Sequence, residues 1–297
     1  MHYQAIGKSG LSISKIGFGC MSLMQDQKEN ERIIHHAIAN GINYFDTADI
    51  YNDGMNEIAA GMALKKCRQK VLLATKVGNE PKPGGGWNWN ASKIYILKAV
   101  DQSLKRLKTD YIDIYQLHGG TIEDQIDETI EAFELLQQQG KIRHFGISSI
   151  RPNVINEYVK KSQMVSTMMQ YSLLDRRPEE HCLPFLQNNG IGVLARGCIA
   201  GGLLVKKPAK PYLGYSEEDV KKAAEAIKSI SGRERTPAQT AIGFVLANNA
   251  ITSTIVGIRT YAQLEEMISL FQTPLLTNEE LQILSSVLDP NKYTQHL

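Results

Sequence analysis

The chain has 297 residues, 42% of them hydrophobic and 22% charged, and 33 basic against 31 acidic side chains leave a formal net charge of +2. With no long basic run, that balance gives no support to a nucleic-acid partner or a membrane surface. The length allows one barrel-sized domain or two smaller ones. The N-terminal stretch lacks the apolar core of a signal peptide, and no segment approaches the ~20 apolar residues of a spanning helix. Cys20, Cys67, Cys182 and Cys198 follow neither a CxxC nor a Cys/His ligand spacing. Free, buried thiols in a cytoplasmic protein without a metal are the expectation.

Period-2 alternation over 3–6 and 11–14, split by Gly7-Lys-Ser-Gly10, predicts an N-terminal hairpin. A strand over 16–21 is followed by a helix over 29–40, with apolar Ile33, Ile34, Ala37 and Ile38 on one face and Gly41 as its stop. A second strand is predicted over 44–48 and a second helix over 56–66. The apolar run 71–76 is too short for a buried helix and reads as the third strand. A Gly/Pro/Trp-rich insertion over 78–90 leads to a helix over 92–107, with Ser92 as its N-cap. The fourth strand falls at 111–118, followed by a helix over 122–139 closed by Gly140. The fifth lies at 144–149, before a helix opening near Pro152. Strands six and seven fall at 166–170 and 191–195. An extended loop over 201–216 comes next, and the eighth strand, at 252–257, has helices on either side. An extra helix over 276–288 ends the pattern.

Eight strands with helical connections predict a closed (β/α)8, or TIM, barrel, forming one domain over 1–297. The competing open, doubly wound sheet fails at Gly17-Phe-Gly19, which lacks the third glycine and the helix opening of a dinucleotide fingerprint. In such a barrel the site lies at the C-terminal ends of the strands. The polar residues there are Asp46, Lys76, His118, Ser148, Ser149, Gln170 and Arg196, with Tyr51 five positions beyond Asp46. Singly, each has a bland reading as a cap, a turn or a solvated loop residue, and their collection at consecutive strand ends is what argues for chemistry. A phenol, with an ordinary pKa of ~10, responds poorly near neutrality unless a nearby ammonium stabilises the phenolate. A histidine can orient a carbonyl oxygen, and a buried lysine needs a counter-charge, which Asp46 can supply.

With these residues in place the chain resembles the aldo-keto reductases over essentially its whole length. The resemblance rests on the run from Gly41-Ile-Asn-Tyr-Phe-Asp46 through Tyr51 to Glu57, on Ala74-Thr-Lys76, on Asp113-Ile-Tyr-Gln-Leu-His118 and on Gly140-Lys-Ile-Arg-His-Phe-Gly-Ile-Ser148. It implies Tyr51 as general acid, Lys76 paired with Asp46 as its electrostatic support, and His118 as the group that orients the substrate carbonyl. Hydride would come from a nicotinamide.

The same resemblance implies an NADP(H) site. Asp46 would lie near the nicotinamide ribose, and Ser148, Ser149 and Gln170 would hold the carboxamide, with Ser-Ser here where Ser-Asn is more frequent. Arg196 stands where an aromatic ring often stacks on the nicotinamide. The segment 256–267 resembles the adenosine-phosphate site, through Gly257, Arg259, Gln263 and Glu266. It joins a strand to a helix N-terminus suited to a phosphate, and Arg259 suits a 2′-phosphate. Trp87, Trp89, Met21 and Met24 either line an apolar pocket or simply pack, and the 201–216 loop could cover the cofactor.

The implied activity is NADPH-dependent reduction of small-molecule aldehydes and ketones by a monomer or weak oligomer. An alternative is an NADP(H)-binding sensor or accessory subunit with little turnover. The intact tetrad and the absence of an interaction tail stand against it. A metal-dependent barrel hydrolase would need a ligand cluster such as His-x-His near strand one, which the sequence lacks.

Overall fold

A computed structural model describes residues 1–82 and 84–297. The chain opens with an antiparallel hairpin, β1 (Tyr3–Ala5) against β2 (Ser12–Ser14), in the register Tyr3 to Ser14. The next strands are β3 (Ile16–Gly19), β4 (Tyr44–Asp46) and β5 (Leu72–Val77). A second hairpin follows, β6 (Asn79–Pro81) with β7 (Trp87–Trp89). The strands after it are β8 (Ile112–Leu117), β9 (Ile142–Ser148), β10 (Ser166–Gln170), β11 (Gly192–Arg196) and β12 (Ile251–Gly257). All but the two hairpins form one closed parallel barrel in chain order, sealed where β12 pairs with β3 from Thr254 opposite Ile16 to Gly257 opposite Gly19. The expected (β/α)8 architecture and N-terminal hairpin are therefore both present.

Helices α1 (Gln27–Ala39), α2 (Met55–Leu64), α3 (Lys93–Leu107), α4 (Ile126–Gln138), α5 (Pro152–Lys161) and α6 (Cys182–Asn188) connect successive barrel strands. Two more, α7 (Glu217–Ser231) and α8 (Pro237–Leu246), precede β12, and α9 (Tyr261–Ser269) and α10 (Asn278–Ser286) follow it. Local chemistry sets their starts. Asp26 caps α1 by accepting from the backbone N–H of Lys28 and Glu29, Thr236 and Gln239 form a capping box at α8, and Thr277 and Glu280 form one at α10. The helix expected from 122 starts four residues later, because Asp124 accepts from the Thr121 N–H and closes a turn first.

The core divides at the barrel wall. Outside it, apolar helix faces cover the strands. Inside it, Tyr44, Ala74, Ile114, Met168, Leu194 and Ile255 fill the lumen above Ile6 and Ile13 from the first hairpin. That hairpin is seated hard against the N-terminal ends of the strands, since a Cβ on Gly192 would stand 2.6 Å from the Ile6 side chain. With the N-terminal end plugged, the C-terminal mouth is the open end.

Two expectations change. The strands expected over 16–21 and 44–48 end at Gly19 and Asp46, where the chain leaves the barrel in tight turns. The 78–90 insertion, expected as a loop, contains the β6–β7 hairpin, in the register Asn79 to Trp89; residue 83 lies outside the described residues.

Candidate active site

Asp46 is the last residue of β4, Lys76 the penultimate residue of β5, and His118 the first residue after β8. The Lys76 side chain is fully buried and pairs with Asp46 Oδ1. Its Nζ donates to the Thr47 carbonyl at 2.7 Å and reaches the Tyr51 hydroxyl at 3.5 Å. Gln116 Nε2 donates to the other Asp46 oxygen at 3.1 Å. The Tyr51 ring meets His118 edge-on, with centroids 5.8 Å apart and planes at 83°.

Burial raises the pKa of the Asp46 carboxyl, and the Lys76 charge and the bonds from Lys76 and Gln116 oppose that rise. Burial opposes the Lys76 ammonium, but the Asp46 carboxylate and the Tyr51 phenol outweigh it, and its pKa is raised. Burial, then the positive charges of Lys76 and Arg196, push His118 down to about 3, so its imidazole is neutral at physiological pH. Its Nδ1 is buried without a hydrogen-bond partner among the described residues.

The turn that carries Tyr51 is conformationally demanding. Asn52, Asp53 and Gly54 follow with φ of 49°, 52° and 82°, three successive left-handed residues. Gly54 also allows a close approach, since a Cβ there would stand 2.9 Å from Arg106 Cδ. Arg106, on α3, donates Nε to Glu57 at 2.6 Å, and the fully buried Glu57 accepts from the Thr75 hydroxyl at 2.6 Å. The turn is thus clamped to α2, α3 and the strand that carries Lys76. Asp49, at the start of the turn, is buried with Oδ1 unpartnered; burial, then Glu57, push its carboxyl up to about 7.

These groups open on a cleft of about 820 Å³. Asp46, Tyr51, His118, Ser148, Ser149, Arg196 and Gly257 all line it, and Met21, Trp87 and Trp89 contribute apolar wall. Lys76 lies beneath this lining, and Met24 outside it. Gln170 is held between Arg196, which donates Nη1 to its Oε1 at 3.0 Å, and the Tyr212 hydroxyl, which accepts from its Nε2 at 2.9 Å. That contact ties the 201–216 loop to the strand ends. Arg259 and Gln263 lie beyond the cleft at the start of α9 and Glu266 further along that helix; Thr260 caps it, and the Gln263 side chain accepts from the Arg259 N–H at 2.9 Å.

The surroundings suit a dinucleotide. The Ser148 hydroxyl has no protein partner among the described residues and faces the cleft, and Gly19, Gly197 and Gly257 bring bare backbone to its wall. The α9 N-terminus offers N–H groups and a positive dipole end to a phosphate. Gln116, Asp49, Arg106 and Arg151 were not assigned from the sequence. Gln116 had a signal, because it lies two residues before His118 and so on the same strand face.

Among the described residues no group of His, Cys, Asp and Glu is arranged to hold a metal, and no helix is long and apolar enough to cross a membrane. Cys20, Cys182 and Cys198 are buried free thiols and Cys67 is a half-buried one.

Comparison with known proteins agrees with this fold. The model of the aldo/keto reductase family matches residues 15–289, and the chain belongs to that family of carbonyl-acting oxidoreductases. It is 48% identical to the oxidoreductase YqkF of Bacillus subtilis (strain 168), covering 100% of this chain and 99% of that one. Among solved structures it resembles the aldo-keto reductase AKR11C1 from Bacillus halodurans in its holo form, at a TM-score of 0.93 and 47% identity over 100% of this chain and 99% of that chain. The apo form of the same protein gives a TM-score of 0.86 at 45% identity, with the same coverage.

Proposed function

We propose that the protein is an NADP(H)-dependent reductase of aldehydes and ketones in which Tyr51 is the proton donor. The observation that carries this reading is the buried Lys76 ammonium, 3.5 Å from the Tyr51 hydroxyl and paired with Asp46. When bound, NADPH supplies the hydride, so that carbonyl, NADPH and one proton give alcohol and NADP+.

The side chains account for the proton and the orientation. Tyr51 donates its O–H to the carbonyl oxygen as negative charge develops there, and Lys76 stabilises the phenolate that remains. Neutral His118 can donate one N–H to the same oxygen, but its depressed pKa makes it an orienting group rather than the acid. Asp46 keeps Lys76 charged, and Gln116 holds Asp46 in place.

For the cofactor, Ser148, Ser149 and Gln170 would hold the carboxamide, and Asp46 the adjoining ribose. Arg196 would face the nicotinamide, and Gly257, at the end of β12, would lie toward the adenosine-phosphate end. Arg259 and the first turn of α9 would take the 2′-phosphate, with Gln263 and Glu266 at the adenosine. The greater likeness to a holo than to an apo neighbour supports a site already arranged for a cofactor. A cytoplasmic location fits the free thiols.

The test is NADPH oxidation with a panel of reactive aldehydes, for wild type and Tyr51→Phe. Wild-type turnover that falls by about 10²–10⁴-fold in the variant, with NADPH still bound, is the expected result. No turnover with any aldehyde, or full turnover in Tyr51→Phe, would overturn the proposal.

A further inference from the structure

The charge in the cleft is lopsided. Among the described residues Asp46 is the one carboxylate that lines it, and both its oxygens are taken, by Lys76 and by Gln116. Arg151 and Arg196 line it as well, and neither makes an ion pair among the described residues. His118, being neutral, cancels nothing and adds nothing. Arg196 turns toward Gln170, on the side assigned to the nicotinamide.

Arg151 is placed differently. It follows the end of β9, where its backbone N–H donates to the Ser149 hydroxyl oxygen at 3.2 Å and its Nη1 donates to the Gly120 carbonyl. Nε and Nη2 have no protein acceptor among the described residues. Trp89 lines the same cleft, with a ring atom 3.2 Å from the Cβ position of Gly119, and is anchored by donating Nε1 to Asp124 at 2.8 Å. The other Asp124 oxygen accepts from the Thr121 N–H at 2.7 Å, so both oxygens of this carboxylate are engaged away from Arg151. The result is a half-buried arginine, its guanidinium fixed at one edge and free at the other, in a cleft to which Trp87, Trp89 and Ile150 contribute apolar wall.

We infer that Arg151 is a specificity-determining residue, and that the preferred substrates are aldehydes carrying a carboxylate on an apolar frame. The aldehyde faces Tyr51 while the carboxylate meets Arg151. This rests on the reductase reading above and adds the substrate class. A planar carboxylate can take two parallel N–H groups from the free edge of a guanidinium, an interaction that a neutral aldehyde of the same shape cannot make. If Arg151 served only to clamp the Gly120 loop, its removal would slow acidic and neutral substrates alike.

The test uses the full-length protein with NADPH and matched pairs, 4-formylbenzoate against benzaldehyde and 6-oxohexanoate against hexanal. For wild type the ratio of kcat/KM, acid over neutral, should exceed one and shrink as salt is raised. In Arg151→Met that ratio should fall about tenfold or more, mainly through KM of the acid, and Arg151→Lys should retain part of it. Because the ratio is the readout, a general loss of activity cancels. An unchanged ratio in Arg151→Met overturns the inference.

A second readout does not need turnover. The chain has two tryptophans, Trp87 and Trp89, and both line the cleft, so their fluorescence reports binding there. With NADP+ present, 4-(hydroxymethyl)benzoate should bind wild type about tenfold more tightly than benzyl alcohol, and Arg151→Met should bind the two alike. Equal affinities in wild type contradict the inference. Carboxylate-selective binding without any turnover would fail the reductase reading alone, whereas turnover without a carboxylate advantage would fail this inference alone.

Discussion

Asp113 and Asp46 are both buried carboxylates in the barrel strands, and both are paired with cations, yet their surroundings differ. Asp113, in β8, is saturated. Arg143 Nη1 donates to one oxygen at 2.9 Å, and the other accepts from the Leu73 N–H at 2.9 Å and forms an ion pair with Arg68 Nη2 at 2.7 Å. The remaining Arg68 donors go to Thr109, Val71 and Tyr111, and the Tyr111 ring lies between the two guanidinium groups, 4.1 and 4.2 Å from its centroid. Around Asp46 the accounting is left open. Gln116 Oε1, His118 Nδ1 and Asp49 Oδ1 are buried without partners among the described residues, and the Lys76 ammonium is shared between Asp46, Thr47 and a phenol that faces the cleft. At Asp113, charge buried to hold the fold together is fully satisfied. Charge buried to act on a ligand keeps part of its bonding capacity in reserve, and that costs stability.

The comparison can be broken at its structural end first. Asp113→Ala leaves two guanidinium groups without their carboxylate, and should lower unfolding stability by about 3–5 kcal/mol in a urea titration while leaving the hydride-transfer rate of the folded fraction near wild type. A small stability loss would remove Asp113 from the structural class.

A smaller effect is expected at Asp49, where the sign is set by burial. Its folded carboxyl titrates at about 7, against an ordinary value of 3.8. The folded state therefore holds the additional proton between those values, and the stability it contributes is full below the lower value and lost as pH rises through the higher. Asp49→Asn has no charge to bury. Its stability relative to wild type should increase by roughly 2–3 kcal/mol between about pH 5 and about pH 8. A pH-independent difference would show that Asp49 is not carrying this strain.

The smallest effect belongs to a charge that is neither buried nor paired among the described residues. Exposed Arg259, at the α9 N-terminus, should matter only to a ligand phosphate. Arg259→Ala should weaken NADPH about tenfold and NADH little, measured by titration of both cofactors; an unchanged preference would remove the 2′-phosphate assignment.

Much of this was legible in the sequence because a parallel barrel sorts residues by position. Short apolar runs such as 71–76 marked the strands, and polar residues at their ends marked the mouth, which is how Asp46, Lys76 and His118 could be grouped before any contact was known. What failed was local or tertiary. The β6–β7 hairpin was hidden because Trp87-Asn88-Trp89, a true period-2 strand, follows Gly84, Gly85 and Gly86, all at positive φ, and reads with them as loop. Arg106 and Arg151 looked like ordinary charged residues of a helix and a turn. Their roles come from Gly54 and Gly120, 52 and 31 positions earlier in the chain, which no spacing rule connects to them. Glu57 stood in the motif from the start, but its place between Thr75 and Arg106 is a tertiary fact.

The central claim is that the charge on Lys76 acts through Tyr51. The direct measurement is a double-mutant cycle on single-turnover hydride transfer, using Lys76→Met, Tyr51→Phe and the pair. Lys76→Met should slow the reaction about a hundredfold in the wild-type background and less than about threefold in Tyr51→Phe. Equal slowing in both backgrounds would contradict the account, because Lys76 would then be acting on something other than the phenol.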